Sequence, residues 1–413
     1  MKKQISNYSE PWYERWPALM ETFPEKDIWF LQDDYIIKAN KILMLDQKPL
    51  NALLEAVSYV RNNSFLSKLV WYFSHMIYDN HTELNPWQVP FPQLVNNHRN
   101  INDLLGLIIL LSGFDRILEF HRSKKVPIQI TIDTFRDIKI WLKDFYRKNG
   151  RWGLKENQWL IHHFTGRLYR LGRLQFAMDK FTGRIKVFKN KHDGVVIALS
   201  EEGIWYTRDG LVNGTNGINE SDGVWMSKFQ EDEEFYIGNP ISPDGKAINK
   251  TVKLKKLDWR PKLAKDEPVL DLHIPEDGRM DHNLCGQSIE KAREFFPNYF
   301  PEWDYRAFTC TTWLFDSQFQ TLLPSSSNIV RFQQEFYLYP VQSNDSQTFD
   351  RVFDGKPEDF NNAPRDTSLR RAIIDHYLRG GHLRGAGGFI LKDDIDWGSQ
   401  IYQKKRRVDC VSI

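Results

Sequence analysis

The chain has 413 residues, with 56 Lys and Arg against 54 Asp and Glu and a net charge of +2, a balance that excludes the general electrostatic attraction nucleic-acid binding relies on. Its longest apolar run, LLGLIILL at 104–111, falls far short of the ~20 residues that cross a bilayer. Three cysteines, Cys285, Cys310 and Cys410, exclude a disulfide framework and, with the polar start MKKQISNYSEPWYERW, indicate a reduced, cytoplasmic protein.

Length and a hydrophobic content of 41% lead us to expect two packed domains. Residues 1–150 read as helical. Leu50, Leu53, Leu54, Val57 and Val60 recur at helical spacing, as do Phe65, Leu66, Leu69, Val70, Phe73, Met76 and Ile77. A Pro-rich break at 85–93 follows, and the pattern resumes with Asn102 or Asp103 as the expected cap. The best-marked helix has the stripe Phe135, Ile138, Trp141, Leu142 and Phe145, with Thr131 or Asp133 to cap it and Gly150 to end it.

After a short helical piece around Trp159 the period changes to 2. Segments 167–176, 184–188 and 194–199 predict an antiparallel meander joined by Gly-containing turns. Residues 203–234 are rich in Gly, Asn, Asp and Ser and predict an exposed loop; strands return at 234–241 and 251–257. The stretch from Val269 to Pro340 then places an apolar run ending in His273, a turn, an amphipathic helix, and a second apolar run carrying Cys310 and Trp313. Strand, helix, strand is the crossover unit of a parallel or mixed sheet, and such sheets take ligands beyond the carboxyl ends of their strands. A helix over 367–378, a Gly-rich turn containing Arg384-Gly-Ala-Gly387-Gly, a last strand and a solvated basic tail from Asp396 complete the chain. Its terminus, Cys410-Val-Ser-Ile413, has the outline of a prenylation box by chance.

The motifs HIPEDG, SIEKAREFF, CTTWLFD, LLPSSSNIVRFQQEF and TSLRRAIIDHYLRGG, with LYRLGRLQF, GNPISPDGK and KLDWRPKL upstream, resemble the GNAT-like C-terminal domain of bacterial acyltransferase domain-containing proteins. The helical part is similar to the N-terminal domain that accompanies it, and the resemblance covers roughly Glu10 to Lys392. It implies an α+β fold: a helical N-terminal domain (1–150), a GNAT-like mixed β-sheet domain flanked by helices (151–395) and a basic polar tail (396–413). It also implies transfer of an acyl group from an acyl-CoA or carrier-protein thioester to an amine or hydroxyl acceptor, without metal, nucleic acid or membrane.

On that architecture the strands near 269–274 and 306–313 splay apart around the pantetheine arm. The pyrophosphate then meets the helix expected to start near Ser288, making Gly286, Gln287 and Ser288 the cofactor contacts, with Arg173 as a further phosphate ligand. His273 is the expected base, because an unperturbed imidazole has its pKa near neutrality, with Glu276 as a second candidate and Ser327 as the acid toward the leaving thiolate. Cys310, Trp313 and Asn328 would line the substrate. The usual glycine loop of such enzymes is not in this sequence, since DHNLCGQS has one glycine. A GNAT fold that binds without turnover is therefore the alternative, and a hydrolase using Cys310 with His273 the second alternative.

Overall fold

The computed structural model describes residues 4–404 other than 25–26, 80–83 and 96–98. Cys410 and the end of the basic tail lie outside the described residues. The chain folds as a helical N-terminal region followed by a mixed-sheet domain with helices, and it divides into two compact units. One comprises Met1–Ala177, Ile274–Arg279 and Glu294–Phe300; the other comprises Met178–His273, Met280–Arg293 and Pro301–Ile413.

The first unit is built on α1 (Trp16–Glu21), α2 (Asp33–Leu43), α3 (Gln47–Arg61), α4 (Ser64–Tyr78), α5 (Arg99–Leu111), α6 (Phe114–Ser123), α7 (Ile128–Asn149) and α8 (Asn157–Phe164). Each end has a local cause. The Asn63 side chain accepts the Leu66 N–H to start α4, and Gly150, at φ 70°, ends α7 in the left-handed conformation a Cβ disfavours. α7 starts earlier than Thr131, after Pro127. Asn102 and Asp103 lie inside α5 instead of capping it, the first accepting the Leu94 N–H and the second the Arg151 guanidinium. Val57, Val70, Phe73, Leu105, Phe135 and Ile138 are fully buried in one core, each worth about 1.5–3 kcal/mol in apolar burial. The hairpin β1 (Leu168–Leu171) and β2 (Leu174–Lys180) turns at Gly172, φ 82°.

The second unit begins within β2. A five-stranded sheet runs β10 (Lys246–Ala247), β9 (Pro240–Ser242), β4 (Val196–Ser200), β3 (Ile185–Asn190), β12 (Trp259–Leu263). A three-stranded sheet runs β11 (Val252–Lys255), β8 (Phe235–Gly238), β7 (Phe229–Glu231), and Phe188, Leu199, Val252 and Leu254 form a common core. The segment expected to be an exposed loop carries the ribbon β5 (Trp205–Tyr206) and β6 (Trp225–Met226), with Tyr206 and Trp225 buried. Strands of two residues are too short to show a period.

Four strands of the main sheet lie in this unit in the order β13 (Pro268–His273), β14 (Ala307–Thr312), β16 (Ala386–Leu391), β15 (Tyr337–Pro340). β13 and β14 are parallel and joined through α9 (His282–Tyr299), whereas β14, β16 and β15 are antiparallel neighbours. α10 (Phe319–Leu322), α11 (Asn328–Gln334), α12 (Ser346–Phe353) and α13 (Ser368–Leu378) supply a second core through Phe319, Val330, Phe349 and Ile373. Thr367 caps α13 by accepting the Arg370 N–H. The segment from Asp396 is not wholly solvated: Trp397 packs on the His282 ring, and Tyr402, buried at the end of the last described helix, α14 (Ile401–Lys404), donates toward Asp394.

Candidate active site

Alternation along Val269-Leu270-Asp271-Leu272-His273 puts Asp271 and His273 on one face of β13 and the buried Leu270 and Leu272 on the other. The ladder between β13 and β14 has two rungs, Leu270↔Phe308 and Asp271↔Thr309. Beyond them Thr311 and Thr312 pair only across to Gly387 and Ala386 of β16, and among the described residues Leu272 and His273 have no counterpart on β14. The ladder between these two parallel strands thus covers their starts and does not extend to their carboxyl ends.

Where pairing stops, Thr309 Oγ1 donates to Asp271 Oδ1 at 3.0 Å. His273 Nε2 lies 3.0 Å from Asp271 Oδ2, and the two side chains are 34% and 28% exposed. A carboxylate only accepts, so Nε2 is the nitrogen that carries hydrogen toward it and Nδ1 holds the basic lone pair. On the same face Thr311, Gly387 and Tyr339 form one row across three strands. A Cβ on Gly387 would meet the Tyr339 ring at 2.1 Å, so the ring crosses over the glycine toward Thr311, the partner of Gly387 on β14. Burial raises the Tyr339 phenol above its ordinary value, the nearby Thr311 hydroxyl acting against the shift.

Cys310 follows Thr309 and therefore points to the opposite face from Asp271 and His273. It is buried, and burial, helped by the Asp271 charge, pushes its thiol well above the ordinary range. The structure does not bring its sulfur together with His273, and a buried neutral thiol is a poor nucleophile. Trp313 follows β14 in a tight turn and packs its ring 6.1 Å from Phe319.

The helix after β13 begins at His282, well before Ser288, because Asp281 Oδ1 accepts the Leu284 N–H and its carbonyl the Cys285 N–H. The three residues expected at the helix start therefore lie inside it, where backbone donors are already used along the helix. Gly286 is there because a Cβ would come within 2.4 Å of the Trp397 indole. Ser288 is buried and donates to Leu284 O at 2.9 Å, whereas Gln287 is exposed. The first turn is held by a buried set: His282 Nε2 lies 2.9 Å from Glu335, Arg331 reaches His282 Nδ1 at 3.1 Å, and the Trp397 indole donates to His282 O.

Arg173 sits in the β1–β2 turn and donates to Arg279 O at 2.9 Å and Gly278 O at 2.6 Å. Its neighbour Arg170 grips Asp277 with two contacts of 2.9 and 3.0 Å. Both arginines thus hold the connection that follows His273, in which Glu276 is exposed. Ser327 occupies the N-cap position of α11 at φ −60° and ψ 136° without a side-chain cap bond, its carbonyl taking the Arg331 N–H instead. Asn328 is the exposed first residue of that helix. Among the described residues, no three His, Cys, Asp or Glu side chains form a group that could hold a metal ion, and no helix is long and apolar enough to cross a membrane.

Asp271, Thr309 and Tyr339 were missed by sequence reasoning. The first had a signal: it is the one charged residue in an otherwise apolar run, two positions before His273.

The profile of the GNAT-like C-terminal domain matches residues 168–390, more than half of the chain, and the protein belongs to that family. The N-acyltransferase N-terminal domain matches residues 39–166. Similar solved structures include an acyltransferase in complex with CoA and 10C-teicoplanin, 19% identical with a TM-score of 0.62, over 91% of this chain and 93% of that one. Another is an acyltransferase with decanoyl-CoA and teicoplanin, 19% identical, TM-score 0.61, with coverage of 91% and 93%. A third is an acyltransferase mutant with octanoyl-CoA, 18% identical, TM-score 0.61, again covering 91% and 93%. At such identity the likeness is one of fold. The comparison with curated proteins gave no match.

Proposed function

We propose that the protein is an acyl-CoA-dependent acyltransferase that passes the acyl group directly to an amine or hydroxyl, with His273 as general base. The observation that carries this reading is the ladder of β13 and β14, which ends at Asp271↔Thr309 with His273 two residues further along the strand. A thioester arm would lie where the two strands cease to pair with each other, and a base must stand within reach of the attacking atom. The acceptor N–H or O–H gives its proton to His273 Nδ1 as the new C–N or C–O bond forms. The C–S bond then breaks, and the proton passes to the departing CoA thiolate. Family membership and the acyl-CoA complexes of the structural neighbours support CoA over a carrier protein as donor.

Calorimetric titration with CoA and octanoyl-CoA is expected to show micromolar to low-millimolar binding. Thiol release with octanoyl-CoA and an acceptor panel that includes amines, alcohols and teicoplanin is expected to find turnover. His273→Ala is expected to slow it about 10²–10⁴-fold. Binding of neither thioester nor CoA overturns the proposal. The second reading, a fold that binds without turnover, draws on Asp281, whose carboxylate at the start of α9 opposes a phosphate there. It predicts CoA silence together with an intact fold.

A further inference from the structure

We propose that Asp271 is the positioning residue of this reaction: anchored by Thr309, it fixes the His273 ring so that Nδ1 faces the acceptor. The inference rests on the acyl-transfer reading and adds to it a residue whose role is to orient the base. Three observations support it. Asp271 and His273 are two apart on one strand, so both side chains leave the same face. The carboxylate divides its oxygens, Oδ1 taking the Thr309 hydroxyl at 3.0 Å and Oδ2 lying 3.0 Å from Nε2. Thr309 is itself fixed from its other side by the rung Thr309↔Phe389.

The base is therefore tied to the last rung before the strands part. In the tautomer this enforces, Nε2–H points to Asp271 throughout, and the acceptor proton arrives at Nδ1. The imidazolium that forms is stabilised by the adjacent carboxylate. From Nδ1 the proton goes to the CoA thiolate, and the starting tautomer is restored. An asparagine at 271 keeps the size of the side chain and removes the charge, and its amide hydrogens can meet Nε2 as donors, which favours the wrong tautomer.

The test compares wild type, Asp271→Asn, Thr309→Val and His273→Ala with octanoyl-CoA and two acceptors. One is the best amine of the panel, protonated at neutral pH and in need of a base. The other is hydroxylamine in mildly alkaline buffer, already a free base, its product read as octanoyl hydroxamate after subtraction of the uncatalysed rate. With the amine, Asp271→Asn is expected to lose about 10–100-fold in kcat, Thr309→Val less, and KM for octanoyl-CoA is expected to stay within about twofold in both. With hydroxylamine all three variants are expected to approach wild type, which a collapsed site would not allow. An Asp271→Asn enzyme as fast as wild type with the amine, beside a disabled His273→Ala, overturns the inference alone. Equal losses with both acceptors also overturn it, because the damage is then to the fold. Silence of the wild type toward every acceptor overturns the acyl-transfer reading and this one with it.

Discussion

Two of the protein's acid–histidine pairs stand in contrasting settings, one in each unit. In the helical unit Asp137 accepts from the indoles of Trp141 at 3.1 Å and Trp159 at 2.9 Å and lies 3.2 Å from His163 Nε2, with the two paired side chains 3% and 0% exposed. In the sheet unit Asp271 and His273 stand at a similar distance but about a third open to solvent, where a ladder ends. The partner chemistry is the same, and the surroundings separate the roles. A sealed carboxylate with two indole donors and a histidine beside it cannot exchange a proton with a substrate and serves to tie α7 to α8. A pair about a third exposed, where the β13–β14 ladder stops, is in contact with solvent and contributes little to stability.

The largest expected effect that would break this contrast is on the sealed pair. Asp137→Ala removes the acceptor of two indole N–H groups and the carboxylate beside the buried His163, and is expected to destabilise the protein by about 3–5 kcal/mol, read as a lowered denaturation midpoint. Asp271→Asn is expected to move the midpoint by less than about 1 kcal/mol. Equal losses would show that both pairs are structural.

Acid sharpens the same contrast. Burial alone would raise the Asp137 carboxyl, but the hydrogen bond and charge of His163, with the bonds from Trp159 and Trp141, outweigh it and leave the value lowered. A folded value below the unfolded one means the stabilisation is complete above the unfolded carboxylate pKa of about 3.9 and is lost as pH falls from there through the folded value. Circular dichroism during an acid titration is expected to show helix loss in that window. In Asp137→Asn this dependence is expected to flatten. An unchanged profile in that variant would assign acid sensitivity to other carboxylates.

Much of this architecture was legible in the sequence because hydrophobic period is local. The change from period 3.6 to 2 after Trp159, the Gly150 stop and both strands of the crossover lie within a residue or two of where they fold. What could not be read depends on partners distant in sequence. Gly286 made residues 286–288 look like a loop because nothing nearby shows that Trp397 needs the space. Arg384-Gly-Ala-Gly387-Gly looked like a turn, yet Gly387 and Gly388 lie in β16 so that Tyr339 can cross one face and Phe315 the other. Asp271 passed unremarked because its partner Thr309 lies on a different strand.

The two glycines offer the next largest test within the sheet unit. Gly387→Ala forces a Cβ to within 2.1 Å of the Tyr339 ring, so the ring must move off the glycine, at an expected cost of about 1–3 kcal/mol. Tyr339 lies on the face of Asp271 and His273, so thiol release is expected to fall as well. Gly388→Ala, which meets the Phe315 ring at 2.7 Å on the opposite face, is expected to cost similar stability with a smaller fall in rate per unit of stability lost. Equal falls would mean that the two faces do not differ in function.

The smallest expected effect concerns Ser327, because sequence and structure assign it different work. A serine ahead of Ile329 and Phe332 suggests a cap, and a cap replaced by alanine commonly costs about 1 kcal/mol. In the fold its backbone makes the cap turn, through its N–H to Pro324 O at 2.8 Å and its carbonyl to the Arg331 N–H at 2.9 Å, while the hydroxyl makes no cap bond. Ser327→Ala is therefore expected to shift the denaturation midpoint by no more than about 0.5 kcal/mol. If the hydroxyl also has no part in protonating the thiolate, thiol release stays at the wild-type rate. A loss of rate at unchanged stability would instead place Ser327 at the leaving group and extend the site from the end of β13 to the start of α11.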